Sequence, residues 1–385
     1  MKKVLRSTRD TNKRRKVTVD EKKKEETPCW SSLPLELMEN IMTNLYYVDH
    51  VHVKAVCNGW RSKYIVPPLK QLPWLMAFPD NTWSSCKLFD PVYKKTYSVN
   101  VAEKRLRGKN FDDIQIHTCK QGWLLMSLVK KPKCLFLYSP FLDGRIIDLP
   151  PLNSTFEMAT FSSPPSNSDC VVFTLDAPED SKTVYIRTCD LNNKKWITRV
   201  FRPSNWMFFG CNSVNYMDGT FYCLSKSGLL GTYNMQDTPS WREFSEQEFQ
   251  IINPKATSVH TVVFDGKIML IAINWQVTDD NRFQIYRLDR TDMTWYKIRS
   301  IDDQVLFLGD CSVTLPANVA GSNLENKIFY SGDSRLKAFS IGDGSSKRKG
   351  NPCPQIYGSL SRQDCKKIWI ETPLSTKVRN VIVLI

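Results

Sequence analysis

From Leu33 onward the apolar residues take helical spacing: Leu37, Ile41 and Leu45 lie four apart, and Met38 and Met42 widen the stripe. Pro34 stands at the first turn of this expected helix, where its missing N–H costs nothing. Asp49 offers a side-chain cap for a second helix. On that helix Val53, Val56, Cys57 and Trp60 fall at i, i+3, i+4 and i+7 before Pro67 and Pro68 end the run. A helical pair of about 35 residues is too small to bury a self-sufficient core without disulfides, metal or a partner. Its stripes therefore need a cover, either the rest of the chain or another polypeptide.

Beyond Trp74 the periodicity changes. Short apolar segments such as VVFTLD, VYIRTCD and KIMLIAINW alternate with turn residues, which are strand and hairpin signals. The segments Asp190 to Trp196, Asp237 to Trp241 and Asp289 to Trp295 each carry a turn followed by a Trp strand, while Asp218-Gly219 and Asp265-Gly266 each open a hairpin. The alternation recurs every ~45 to 55 residues, the span of one four-stranded propeller blade. The expected fold is therefore an α+β multidomain chain: a small helical module over 30–66, then a mainly-β propeller of about six blades over 75–385. Each recurring Trp is expected to fill the wedge between neighbouring blades.

Composition supports the strands, since the 11 Trp and 14 Tyr suit a pleated surface. Charge adds a separate segment. Of the net +14, residues 1–29 hold 11 basic against 5 acidic residues and too little apolar surface to offset chain entropy, so they are expected to form a disordered basic tail. Within it Lys13, Arg14, Arg15 and Lys16 form a short basic cluster of the kind that serves as a nuclear import signal. The expected location is nucleus and/or cytoplasm. A basic balance also suits phosphate backbones, so an alternative reading is a basic nuclear nucleic-acid-associated binding protein. The basic residues are not gathered with aromatics into an RNA-binding motif, which places nucleic acid second.

Chemistry-bearing patterns are sparse. The 12 Cys are scattered without C-x-x-C spacing and are expected to be reduced, mostly buried thiols. His50, His52, His117 and His260 form no metal-ligand pattern, and the first two are expected at the surface. The glycine-dense run from Gly342 to Lys347 lacks phosphate-loop order and is expected to be a flexible loop. No apolar run approaches the ~18 to 20 residues of a membrane helix, and the start lacks the apolar core of a signal peptide. No enzyme activity, catalytic residue, metal, cofactor or membrane partner is expected.

Taken together, Leu33-Pro34, the Leu37, Ile41 and Leu45 stripe, Asp49, and Val56-Cys57-Asn58-Gly59-Trp60-Arg61 resemble an F-box. The segments QGWLLMS, LYSPFLDGRIIDLPPL and WIETP resemble the kelch-like domain of plant F-box proteins, the domain-of-unknown-function 295 type. The resemblance implies a non-catalytic substrate-recognition subunit of an SCF-type E3 ubiquitin ligase. Its F-box would bind a Skp-type adaptor and, through it, a cullin, while the propeller would hold an unidentified target protein. Carried over by position, the adaptor contacts would be Leu33, Pro34, Leu37, Ile41, Leu45, Val53, Val56, Cys57, Trp60 and Arg61. Trp60 would be the hot spot, because buried aromatic anchors dominate such interfaces. Asn58-Gly59 departs from the family pattern, and Gly within a helix costs ~0.5 to 1 kcal/mol, so weaker adaptor binding is expected.

Overall fold

The computed structural model describes residues 33–374 except 64–65, 81, 102–105, 107–108, 130–133, 143, 205–207, 237, 245–255, 278–281, 322, 333–334, 342–352 and 363–364. The basic tail with Lys13, Arg14, Arg15 and Lys16, and the glycine-dense run from Gly342, lie outside the described residues.

Three short helices come first: α1 (Leu35–Thr43), α2 (Tyr47–Val56) and α3 (Asn58–Lys63). Strands follow. Blade 1 contains β1 (Trp74–Phe78), β2 (Ser85–Asp90) and β3 (Lys95–Asn100). Blade 2 contains β4 (Ile114–Lys120), β5 (Trp123–Leu128), β6 (Leu135–Ser139) and β7 (Arg145–Asp148). Blade 3 runs through β8 (Met158–Phe161), β9 (Val171–Asp176), β10 (Val184–Asp190) and β11 (Lys195–Phe201). Blade 4 runs through β12 (Cys211–Met217), β13 (Thr220–Ser225), β14 (Leu230–Asn234) and β15 (Ser240–Glu243). Blade 5 has β16 (Ser258–Phe264), β17 (Lys267–Ile273), β18 (Phe283–Asp289) and β19 (Thr294–Ile298). Blade 6 has β20 (Gln304–Leu308), β21 (Val313–Pro316), β22 (Lys327–Gly332) and β23 (Arg335–Ser340), with α4 (Ala317–Ala320) between β21 and β22. After α5 (Cys353–Tyr357), β24 (Lys366–Ile370) pairs with β1 in register Trp74↔Ile370 to Phe78↔Lys366 and becomes the fourth strand of blade 1. The ring of six sheets is thus closed by pairing strands from opposite ends of the chain.

The strand sequences follow from this arrangement. A blade is covered on both faces, so its central strands carry continuous apolar runs instead of alternation. In β1 all five residues are buried: Trp74, Met76 and Phe78 join the core shared with blade 2, and Leu75 and Ala77 join the core shared with blade 6. The outer β11 is mostly exposed along its length.

The recurring Trp residues fill the inter-blade wedges as the sequence indicates. Trp196 on β11 packs into the core between blades 2 and 3, its indole N–H donating to the Pro150 carbonyl at 2.9 Å. Trp295 on β19 is buried in the core between blades 4 and 5. Trp241 on β15 lies against Phe208 with ring centroids 5.0 Å apart, and a Cβ added at Gly231 would come within 2.2 Å of its ring. Gly231→Ala is therefore expected to cost about 1 to 3 kcal/mol through overpacking. Chemical denaturation reads this out, and an unchanged midpoint would contradict the packing.

Both Asp-Gly pairs make two-residue hairpins, with φ of 49° and 79° at Asp218-Gly219 and 46° and 66° at Asp265-Gly266. Positive φ at both central residues is what a type I′ turn requires. Blade 6 departs from the others: β21 is its edge strand beside β20, and β20 pairs in parallel with β22. Parallel neighbours need a crossover, here supplied by β21 and α4.

Candidate adaptor interface and the propeller faces

The helices form a layered module. On α1, Met38 and Met42 are buried against Val53, Trp60 and Val66. On α2, Tyr47, Val48 and Val51 join the core between blades 1 and 2. Tyr47 meets Trp74 edge-on at 6.2 Å and Phe141 at 5.3 Å, and its hydroxyl donates to the Phe141 carbonyl at 3.5 Å. Tyr46 lies edge-on to Tyr93 at 6.5 Å, and the Tyr93 hydroxyl donates to the Asp49 carboxylate. That bond is the main cause raising the Tyr93 pKa to about 12.

Several local expectations change. The second helix starts at Tyr47 rather than after Asp49, so Asp49 sits in its first turn and engages Tyr93 instead of capping. Pro34 precedes the first helical residue, and its carbonyl accepts the Met38 N–H at 3.2 Å. The stripe through Val53, Val56, Cys57 and Trp60 is broken, because Cys57 is extended and α3 begins afresh at Asn58. Cys57 then serves the new start: its Sγ accepts the Trp60 N–H at 3.4 Å, while Arg61 Nε donates to the Lys54 carbonyl at 3.3 Å near the end of α2. Gly59 falls in the first turn of α3, not mid-helix. Met38 and Met42 do not widen the open stripe but turn inward.

His52 is exposed as expected, but His50 is fully buried. Its Nε2 lies 2.6 Å from the Met42 carbonyl, and a carbonyl can only accept, so Nε2 carries the proton. Nδ1 is buried without a partner. Burial holds the imidazole below its ordinary pKa, so the ring is neutral in the folded state. Below the unfolded value of about 6.5 the unfolded chain binds more protons, and stability is lost as pH falls. Unfolding midpoints of the helical module are expected to drop in acid, with a shallower slope in His50→Gln; identical slopes would contradict this.

The residues expected to contact an adaptor divide into two groups. Leu37 and Ile41 are 53% and 46% exposed, Val56 is 65% exposed, and Pro34 and Arg61 are also exposed. Leu33, Leu45, Val53, Cys57 and Trp60 are half-buried, and Val53 and Trp60 pack on the two methionines. The rest of the chain supplies one cover: the propeller seals the side of α2 that carries Tyr47, Val48 and Val51, residues outside the stripes read from the sequence.

The helices dock at one face of the ring, where Trp74, Tyr93 and Phe141 lie. Trp74 pairs with Ile370, whereas Lys366 pairs with Phe78 at the other end of β1, so Lys366 marks the far face. A cavity of about 350 Å³ runs along the inner strands, lined by His117, Lys120, Asn215, His260 and Glu371 among others. There Lys120 Nζ donates to the Phe161 carbonyl at 2.6 Å, and burial lowers its pKa to about 8 against the opposing pull of Glu371. Glu371 accepts the Gln121 N–H at 2.9 Å. Among the described residues no group of three or more His, Cys, Asp or Glu is placed to hold a metal, and no helix is long and apolar enough to cross a membrane. None of the described cysteines is in a disulfide, and most are buried.

A short helical module is seated on a six-bladed propeller, and sequence comparison assigns each part to a family. The F-box domain family matches residues 30–63, and the KIB1-4 beta-propeller family matches residues 88–354. The chain belongs to the KIB1-4 beta-propeller family and carries an F-box domain ahead of the propeller. It is 28% identical over 317 residues to the F-box/kelch-repeat protein At1g57790 of Arabidopsis thaliana, spanning 78% of this chain and 82% of that protein. The F-box protein At4g00893 of the same plant is 30% identical over 233 residues, covering 60% and 56% of the two chains. The F-box protein At1g49360 is 26% identical over 392 residues, covering 91% and 74%.

Proposed function

We propose that the chain is the substrate-recognition subunit of an SCF-type E3 ubiquitin ligase, binding a Skp-type adaptor through the helices and a target protein through the propeller. One observation carries the reading. The module has two apolar sides, and the propeller covers only that of Tyr47, Val48 and Val51, leaving Leu37 and Ile41 open to solvent. Open apolar side chains beside a packed core suit a partner protein. In this reading the chain performs no covalent step. It raises the local concentration of target near ubiquitin carried elsewhere in the assembly, an effect that reaches the millimolar range for short tethers. Location in nucleus and/or cytoplasm belongs to the same proposal.

Co-expression of the full chain with a Skp-type adaptor and cullin, followed by gel filtration, tests it. A co-eluting complex that is absent when residues 33–63 are deleted is expected. Separate elution of the intact chain would overturn the assignment.

A further inference from the structure

The far face holds a cavity of about 610 Å³ where blades 5, 6 and 1 meet, lined by Trp275, Tyr330, Asp310, Lys366 and His260 among others. Its members come from strand ends opposite the helical module: Lys366 begins β24, Trp275 follows β17, and Tyr330 lies towards the end of β22. Trp275 is 42% exposed although it contacts Phe283 at 6.4 Å and Tyr330 at 5.8 Å, so part of its indole surface stays open. An open Trp at a concave site is the kind of residue that anchors a partner side chain.

Arg282 adjoins it in a fixed pose. Its Nε donates to the Val277 carbonyl at 2.6 Å and its Nη1 to the Tyr330 hydroxyl at 3.0 Å. The guanidinium carbon lies 5.9 Å from the Trp275 ring centroid and 6.0 Å from that of Tyr330. Held by two bonds and two rings, the guanidinium is pre-organised, and a pre-organised fork loses little entropy in binding a carboxylate. Lys366 pairs with Asp310 at 2.8 Å, but both side chains are more than 40% exposed, so the pair contributes little and is exchangeable. Lys367 also lines the cavity, but its buried Nζ donates to the Cys365 carbonyl at 3.2 Å, so Arg282 and Lys366 are the cations that reach the opening. The net charge of +14 further favours an acidic partner.

We propose that this cavity docks an acidic peptide segment of the target protein, an apolar side chain resting on Trp275 and neighbouring Asp or Glu carboxylates taken by Arg282 and Lys366. The assignment rests on the receptor reading above and names the chemistry of its target. A peptide suits the site better than a nucleic-acid strand, which binds along a groove on successive stacking aromatics and would meet Asp310.

The test uses the full chain and short fluorescein-labelled peptide pools in which a central Phe, Trp or Leu is flanked by Asp and Glu, by Lys and Arg, or by phosphoserine. Anisotropy should show the acidic pool binding at least about tenfold tighter than the basic pool. Trp275→Ala and Arg282→Gln should each weaken it by about tenfold or more, with melting temperature unchanged. Should Trp275→Ala unfold, Arg282→Gln and Lys366→Gln decide the matter. Equal binding of all pools, binding confined to the phosphoserine pool, displacement by single-stranded RNA, or indifference to Arg282→Gln would overturn the proposal. Adaptor binding is measured on the same samples. An adaptor-competent chain that ignores the acidic pool defeats only this site, whereas a chain that takes the acidic pool but no adaptor defeats the receptor reading.

Discussion

Replacing Leu37 and Ile41 together by Glu is expected to weaken binding of a Skp-type adaptor by at least about 100-fold while leaving the unfolding transition in place. Both side chains are about half exposed and lie outside the methionine core of the module, so the fold loses little. Glu is also a good helix former, which preserves α1. At an interface the substitution removes two apolar anchors and buries two unpaired charges, each of which costs several kcal/mol. Even about 3 kcal/mol corresponds to more than 100-fold in affinity. Met38→Glu is the contrasting variant, since it places a charge beside Met42 and Trp60 and should melt the module. Trp60→Ala would confound the two effects because Trp60 packs on those methionines. Unchanged adaptor affinity in the Leu37, Ile41 double variant would remove these residues from the interface.

Tyr47→Ala is expected to have the largest effect on stability, about 3 to 5 kcal/mol. The ring is almost fully buried between Trp74 and Phe141, at the joint where α2 meets blades 1 and 2. Its loss opens a cavity at the main contact between helices and propeller. Blade packing elsewhere does not involve Tyr47, so scanning calorimetry should show an early transition for the helices separating from that of the propeller. A single transition at the wild-type temperature would show that the joint is held by other residues. Tyr93→Phe, which removes only the hydroxyl bond to Asp49, should have a far smaller effect, because that bond is exposed.

Much of the propeller was legible because its signals are local. Two-residue Asp-Gly turns, continuous apolar strands and a Trp on the outer strand recur at blade spacing, and each recurs for a packing reason. Long-range choices were less legible. Nothing in the run from Lys366 to Ile370 says that it joins Trp74–Phe78 across the whole chain. The parallel pair in blade 6 is equally silent, since strand order depends on where α4 returns the chain. On α1, two adjacent stripes are alike in hydropathy. Which one turns inward is decided by contact with Val53 and Trp60, so Met38 and Met42 are sealed while Leu37 and Ile41 stay open. His50 is buried for a similar reason, as α2 lies between α1 and the ring. The far-face cavity gathers Trp275, Tyr330 and Lys366 from three blades, beyond any local pattern.

Isothermal titration of the purified chain with a Skp-type adaptor, repeated at rising salt, bears most directly on the open helical face. The account predicts one-to-one binding with a negative heat-capacity change and only a slight loss of affinity with salt, because apolar burial supplies the driving force. No complex, or affinity that collapses steeply with salt as phosphate-dominated binding does, would contradict it.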